Sequence, residues 1–172
     1  MKRLPLYPLS ITPHFDMETF MLLSGQQRLD GDNAKALEQD WQRLHAHLRA
    51  YRLGEKKGYI LIYLDRNFDA ELDQARQQDR ERAERLELLA QSMIMAALTE
   101  VLPESSAQGC APVPQPNKIL KNSLADLGLT FHNNGSLDVS FGVVTELPFR
   151  GDCERCLIKG TCSKRMLQHQ SG

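Results

Sequence analysis

Between Ala34 and Tyr51 apolar residues recur at alternating steps of three and four: Ala34, Leu37, Trp41, Leu44, Leu48 and Tyr51. That spacing draws one stripe along a helix and predicts an amphipathic helix from Asp32 to near Gly54. The pattern then changes. Tyr59 to Leu64 is an unbroken apolar, aromatic and β-branched run behind Gly58, too short for a typical helix, which predicts a buried strand. From Asn67 to Leu102 there is no Gly or Pro, and this stretch predicts one helix of about 30 residues, ~45–50 Å long. Its first half is charge-laced, with Glu81 and Arg85 spaced to pair. Its second half, from Leu86 to Leu102, is apolar on much of its circumference and belongs in the core.

Shorter signals surround these elements. Pro5 and Pro8 bias the opening residues toward extended structure. Thr12 as cap, Pro13 at the first helical position and Gly25 as stop predict a first helix. Residues 103–116 read as a linker or ordered loop rich in Pro and Ser. Asn117 and Gly128 bracket a short helix, and Asn134-Gly135 predicts a hairpin whose second arm alternates Leu137, Val139 and Phe141. The fold class is α+β: several helices, one of them long, against a small, mainly antiparallel sheet. Residues 1–147 form the α+β domain, and 148–172 a cysteine-rich tail that folds back on it.

Composition narrows the function classes. Over 172 residues, 41% apolar content suits a globular core, and a net charge of -1 gives no general affinity for polyanions. No apolar run approaches the ~20 residues of a membrane span. Pro5, Pro8 and Pro13 interrupt what a signal peptide would need as an apolar core. The expectation is a cytoplasmic chain without a membrane segment, where thiols stay reduced and clustered cysteines favour metal over disulfide.

Three of the four cysteines crowd into one short stretch as C-x2-C-x5-C: Cys153, Cys156 and Cys162. A turn can aim the first two sulfurs at one metal, and Gly160 lets the chain return for the third. Thiolates repel unless a cation neutralises them, so the clustering itself points to metal, with iron–sulfur and zinc both suited to soft sulfur ligands. Both need a fourth ligand. Cys110, in the Pro-rich loop, is one candidate; its bland reading is a small buried apolar residue. His169 is the other and would make a compact Cys3His zinc site, although it lies near the chain's end, where residues fray.

A remote cysteine followed by C-x2-C-x5-C resembles the [4Fe-4S] ligand set of several unrelated proteins. In the CRISPR-adaptation exonucleases and the nuclease subunits of AddAB-type helicase–nucleases, a distant upstream cysteine joins a C-terminal triad, the order of Cys110, Cys153, Cys156 and Cys162 here. WhiB-like regulators and helix-hairpin-helix glycosylases use similar spacing, and the fumarate–nitrate regulator places the triad first. The resemblance implies a [4Fe-4S] cofactor on these four cysteines. It covers the motif and not the chain. The nuclease motif needs a metal-binding acid before an E-x-K. Glu55 to Lys57 supply those letters, but Asp65 follows them and the strand-borne candidate Asp138 lies far downstream. A surface charge cluster accounts for Glu55 to Lys57 better.

Other chemistry is thin. His45 and His47, two apart on a helix, point in different directions. His14 and His132 are isolated, and neither a phosphate-cradling glycine loop nor a nucleophile elbow is present. The tail is net basic from Arg150 onward. Arg155, Lys159, Lys164 and Arg165 would offset a thiolate-ligated centre or contact nucleic-acid phosphate. The expected function is an iron–sulfur protein with a structural, redox-sensing or regulatory role and a protein or redox partner. The alternative is a zinc-stapled module contacting protein or nucleic acid. No catalytic motif is visible.

Overall fold

The computed structural model describes residues 1–151. Within them the chain runs β1 (Leu6–Pro8), α1 (Met17–Ser24), α2 (Gly31–His45), β2 (Leu48–Leu53), β3 (Gly58–Leu64), α3 (Arg66–Gln78), α4 (Arg80–Val101), α5 (Ser105–Gln108), α6 (Lys118–Ala125) and β4 (Gly142–Leu147). The strands lie in the order β1-β2-β3-β4, every neighbouring pair antiparallel. This is the α+β class expected from the sequence.

Helices cover both faces of the sheet, which explains why β3 is apolar throughout. Ile60, Ile62 and Leu64 face a larger core with Phe20, Trp41, Phe68, Leu86 and Met93 from α1 to α4. Leu61 and Tyr63 face a smaller core with Leu120 and Leu124 of α6 and with Leu129 and Leu137. A strand buried on both sides has no polar face to alternate with.

The stripe expected to run as helix to Gly54 breaks in two. α2 buries Leu37, Trp41 and Leu44 and ends at His45, while Leu48 opens β2. In β2 the same residues obey a period of two: Leu48 and Ala50 enter the larger core, Tyr51 and Leu53 the smaller. Leu48 and Tyr51 fit either period. Pairing decides the matter: β3 pairs with all six residues, and β1 pairs with Tyr51 to Leu53 on the other side. The β2–β3 turn is closed by Gly58, where a Cβ would sit 1.8 Å from the Leu53 carbonyl oxygen.

The expected 30-residue helix is also two. Asp79 leaves the helical region at φ -152°, ψ 94° and caps α4, its carboxylate accepting from the Arg82 N–H at 3.1 Å. The break lets α3 bury Phe68, Leu72 and Ala75 while α4 buries Leu86, Leu89, Ala90, Met93 and Ala97 against the same core. Glu81 and Arg85 do not pair with each other. Arg85 reaches Asp40 at 3.2 Å, and the i,i+4 pair is Arg80 with Glu84. α4 remains a long helix, and its second half lies in the core as expected.

Caps differ in detail. α1 starts under Asp16, whose carboxylate accepts from Glu18 N–H at 3.0 Å, rather than under Thr12. Pro13 instead offers its carbonyl to the Trp41 indole N–H at 3.1 Å. Asn117 caps α6 as expected, accepting from Leu120 N–H at 2.8 Å. The hairpin shrinks to one bridge, Phe131 with Leu137, around Gly135 at φ 83°. The strand that follows, β4, pairs with β3 instead. Phe149, assigned to the tail from the sequence, is buried in the larger core.

Candidate metal centre

Cys110 is placed by three local features. The four-residue α5 follows α4 after the turn at Pro103. Gly109, buried, then takes φ 94°, ψ -153°, a conformation that an L side chain rarely adopts, and turns the chain out of α5. After Cys110 the chain runs without regular structure to Asn117, with Pro114 buried and Ala111 packed on the larger core. The Pro-rich stretch is therefore a loop docked at Ala111 and Pro114, with Cys110 exposed beside them, as are Val113 and Gln115. The reading of Cys110 as a small buried apolar side chain is set aside by that exposure.

Cys153, Cys156 and Cys162, the competing ligand His169, and the basic residues Arg155, Lys159, Lys164 and Arg165 lie outside the described residues. Among the described residues no group of three or more His, Cys, Asp or Glu side chains is arranged to hold a metal ion. The donor chemistry fits a thiolate-bound centre on two counts. Cys110 presents soft sulfur at the surface, clear of the apolar core, and its loop is anchored by Pro114 and Ala111, so little backbone freedom is left to lose on ligation. The two chain segments that lead toward the cysteines also share a core, since Ala111 and Phe149 both pack against the larger one.

The remaining sequence candidates are occupied otherwise. Glu55 to Lys57 form the β2–β3 turn, and the Glu55 carboxylate accepts from the Tyr7 hydroxyl at 3.3 Å. Asp138 is not on a strand. It accepts from Thr130 N–H at 2.8 Å and pairs with Arg66. Partial burial pushes its carboxyl pKa up, but the Thr130 N–H and the Arg66 guanidinium outweigh this and leave it below the ordinary value. His45 and His47 do diverge. Nε2 of His45 lies 3.1 Å from the Ile11 carbonyl, which only accepts, so that nitrogen carries the proton. Nδ1 of His47 faces Asp65 at 3.0 Å.

One cluster escaped the sequence. Asp65, the cap of α3, also binds Arg49 at 2.8 Å and His47; Glu71 binds Arg43 and, at 2.9 Å, Arg82; buried Asp40 binds Arg85 and, at 3.5 Å, Arg43. These residues come from α2, the start of β2, α3 and α4, so no sequence window contains them. Each carboxylate is held by at least one guanidinium. That satisfies buried charge and ties the four elements together, and it leaves no carboxylate without a cation at its side. A cleft of about 320 Å³ nearby, between α1, α2 and α4, carries Arg28 and Arg85 together with Glu81 and Glu84, both signs of charge over Phe20 and Leu37.

Among the described residues no helix is long and apolar enough to cross a membrane. Comparison of the chain with protein-family models, curated proteins and solved structures gives no match. Fold and site together define the class: an antiparallel four-stranded α+β domain with helices on both faces and an exposed cysteine on a proline-anchored loop.

Proposed function

We propose that this chain is a cytoplasmic iron–sulfur protein in which Cys110, Cys153, Cys156 and Cys162 hold one [4Fe-4S] cluster, with a structural, redox-sensing or regulatory role. The observation that carries the reading is the exposure of Cys110 on an anchored loop, since a cysteine that served only packing would belong in the core. The chain's four cysteines match a cube with one thiolate per iron and leave none over. Such a group supplies one-electron chemistry and a cross-link between distant segments. The chain's own part is to deliver Cys110 through the Gly109 turn and to hold the loop with Pro114 and Ala111. Arg155, Lys159, Lys164 and Arg165 would offset the negative charge of the thiolates or meet the phosphates of a nucleic acid. A protein or redox partner is part of the reading.

Anaerobic purification tests it. The expected protein is brown, with broad absorbance near ~400 nm and about four irons per chain. Cys110→Ser should bleach or sharply weaken the centre, as Cys156→Ser would, while His169→Ala leaves colour and iron near wild type. A colourless protein carrying zinc, unaffected by Cys110→Ser and stripped by His169→Ala, would replace the cluster with a local Cys3His site of the interaction-module type.

A further inference from the structure

Helices cover both faces of the sheet, so its open sides are the two edge strands, β1 and β4. The edges differ. β1 has three residues, ends on Pro8 and follows Pro5, and short proline-bearing strands resist pairing with another chain. β4 has six residues, with no Pro or Lys among them and Glu146 as the one charge. The ladder fixes which way its backbone groups point. Leu64 N–H donates to the Phe141 carbonyl at 3.0 Å, and the next pair in register is Tyr63 with Gly142. Antiparallel bonds alternate, so Phe141, Val143, Thr145 and Leu147 turn their backbone groups to β3, while Gly142, Val144 and Glu146 turn theirs out of the sheet. Among the described residues no hydrogen bond reaches those outward groups.

We propose that β4 is the dimer edge of this chain: two copies pair β4 antiparallel across a two-fold axis and join their sheets into one. The register is self-complementary. With Val144 opposite Val144 of the second copy, Gly142 meets Glu146 and Glu146 meets Gly142. The outward groups of all three residues then bond, about six hydrogen bonds at two per pair. No like charges stand opposite, since Glu146 faces a glycine. Val143 stands opposite Thr145, a β-branched pair, and the half-buried Val143 and Leu147 at the edge of the larger core gain a cover. The strand ends also complement each other in charge. A groove of about 360 Å³ at the Phe141 end is lined by Glu84 and Glu87, whose own partners Arg80 and Arg76 are exposed and loosely held. From the Leu147 end the chain runs to exposed Arg150, which has no ion pair among the described residues. Antiparallel pairing brings each acidic groove to the end from which the other copy's Arg150 leaves. A net charge of -1 per chain sets little repulsion against it.

Sedimentation equilibrium and amide hydrogen exchange test this on the full chain as purified, in reductant so that no disulfide joins copies. Wild type should sediment at twice the chain mass and dissociate on dilution. The amides of Val144 and Glu146 should be protected in concentrated protein and exchange faster in dilute protein, while those of Val143, Thr145 and Leu147 keep their protection. Glu146→Pro removes one outward donor per copy and leaves the β3 ladder whole. It should weaken the dimer about tenfold or more with Tm near wild type. A chain that stays monomeric at every concentration overturns the proposal, as does a folded Glu146→Pro variant that dimerises like wild type. Should that variant not fold, the exchange pattern of wild type decides. Protection of Val144 and Glu146 that ignores dilution also overturns the proposal and assigns the edge to the chain's own C-terminal segment.

Discussion

Asp138 shows how one side chain is committed by its surroundings. Its carboxylate caps the Thr130 N–H and binds Arg66, joining the segment after α6 to the start of α3. With its pKa held below the ordinary value, the unfolded chain binds more protons in acid than the folded one. The stability it contributes is therefore present above the unfolded carboxylate pKa of ~3.9 and lost as pH falls through the folded value. Asp138→Asn keeps an acceptor for Thr130 but loses the charge. Urea titrations should find it about 1 kcal/mol less stable at neutral pH, Arg66 being largely exposed. The gap should narrow as pH falls below ~3.9; a gap of the same size in neutral and acid solution would refute the assignment. The sequence placed Asp138 on a strand because Leu137, Val139 and Phe141 alternate around it. Only Leu137 makes a bridge there, because β3 takes its pairing from residues 142–147 instead.

At the scale of elements, the junction of α3 and α4 is the sharpest departure from the sequence pattern. Nothing between Asn67 and Leu102 is a helix breaker, yet the helix stops at Gln78 and restarts at Arg80. Asp79 is the kind of residue that caps a helix, but it is equally tolerated on an exposed helical face, so the letter alone does not choose. Packing chooses: Phe68 and Leu72 on one segment and Leu86 and Met93 on the other are all fully buried in one core, which the two segments reach by packing side by side. The cap then holds the break. Asp79→Ala should cost about 1 kcal/mol, read as a lower urea midpoint at unchanged slope, and Asp79→Asn should recover most of it. An alanine variant as stable as wild type would mean that packing alone maintains the junction.

At the scale of the whole molecule, the question is what connects the Cys110 loop to the chain beyond residue 151. The described domain holds this connection by one apolar anchor, Phe149, buried in the larger core. Residues 152–172 contain few further apolar anchors, chiefly Leu157, Ile158, Met166 and Leu167. A centre shared with Cys110 would close a loop of some forty residues, and its binding energy would become folding energy for the C-terminal region. Limited proteolysis should therefore remove a C-terminal fragment faster from chelated protein than from loaded protein. Equal rates would count against the tie.

Much of this protein was determined by its sequence alone. Tyr59 to Leu64 read as a strand from its length and β-branched content, the Asn117 cap and Gly128 stop delimit α6, and Gly25 ends α1, because each rests mainly on local backbone chemistry. The four-cysteine spacing is also read from the sequence alone, and the centre it would hold is the proposal made above. Tertiary structure alone decided the rest. Leu48 and Tyr51 satisfy both periods, and became strand because β3 offered both backbones partners and β1 a second one to Tyr51. The helix pair around Asp79 was decided by one shared core, and the Asp40, Asp65 and Glu71 network by four elements meeting. Cys110 could have been buried or exposed, and the buried Gly109 with its left-handed turn put it at the surface. Where two local readings cost the same, contacts between residues far apart in sequence supply the difference.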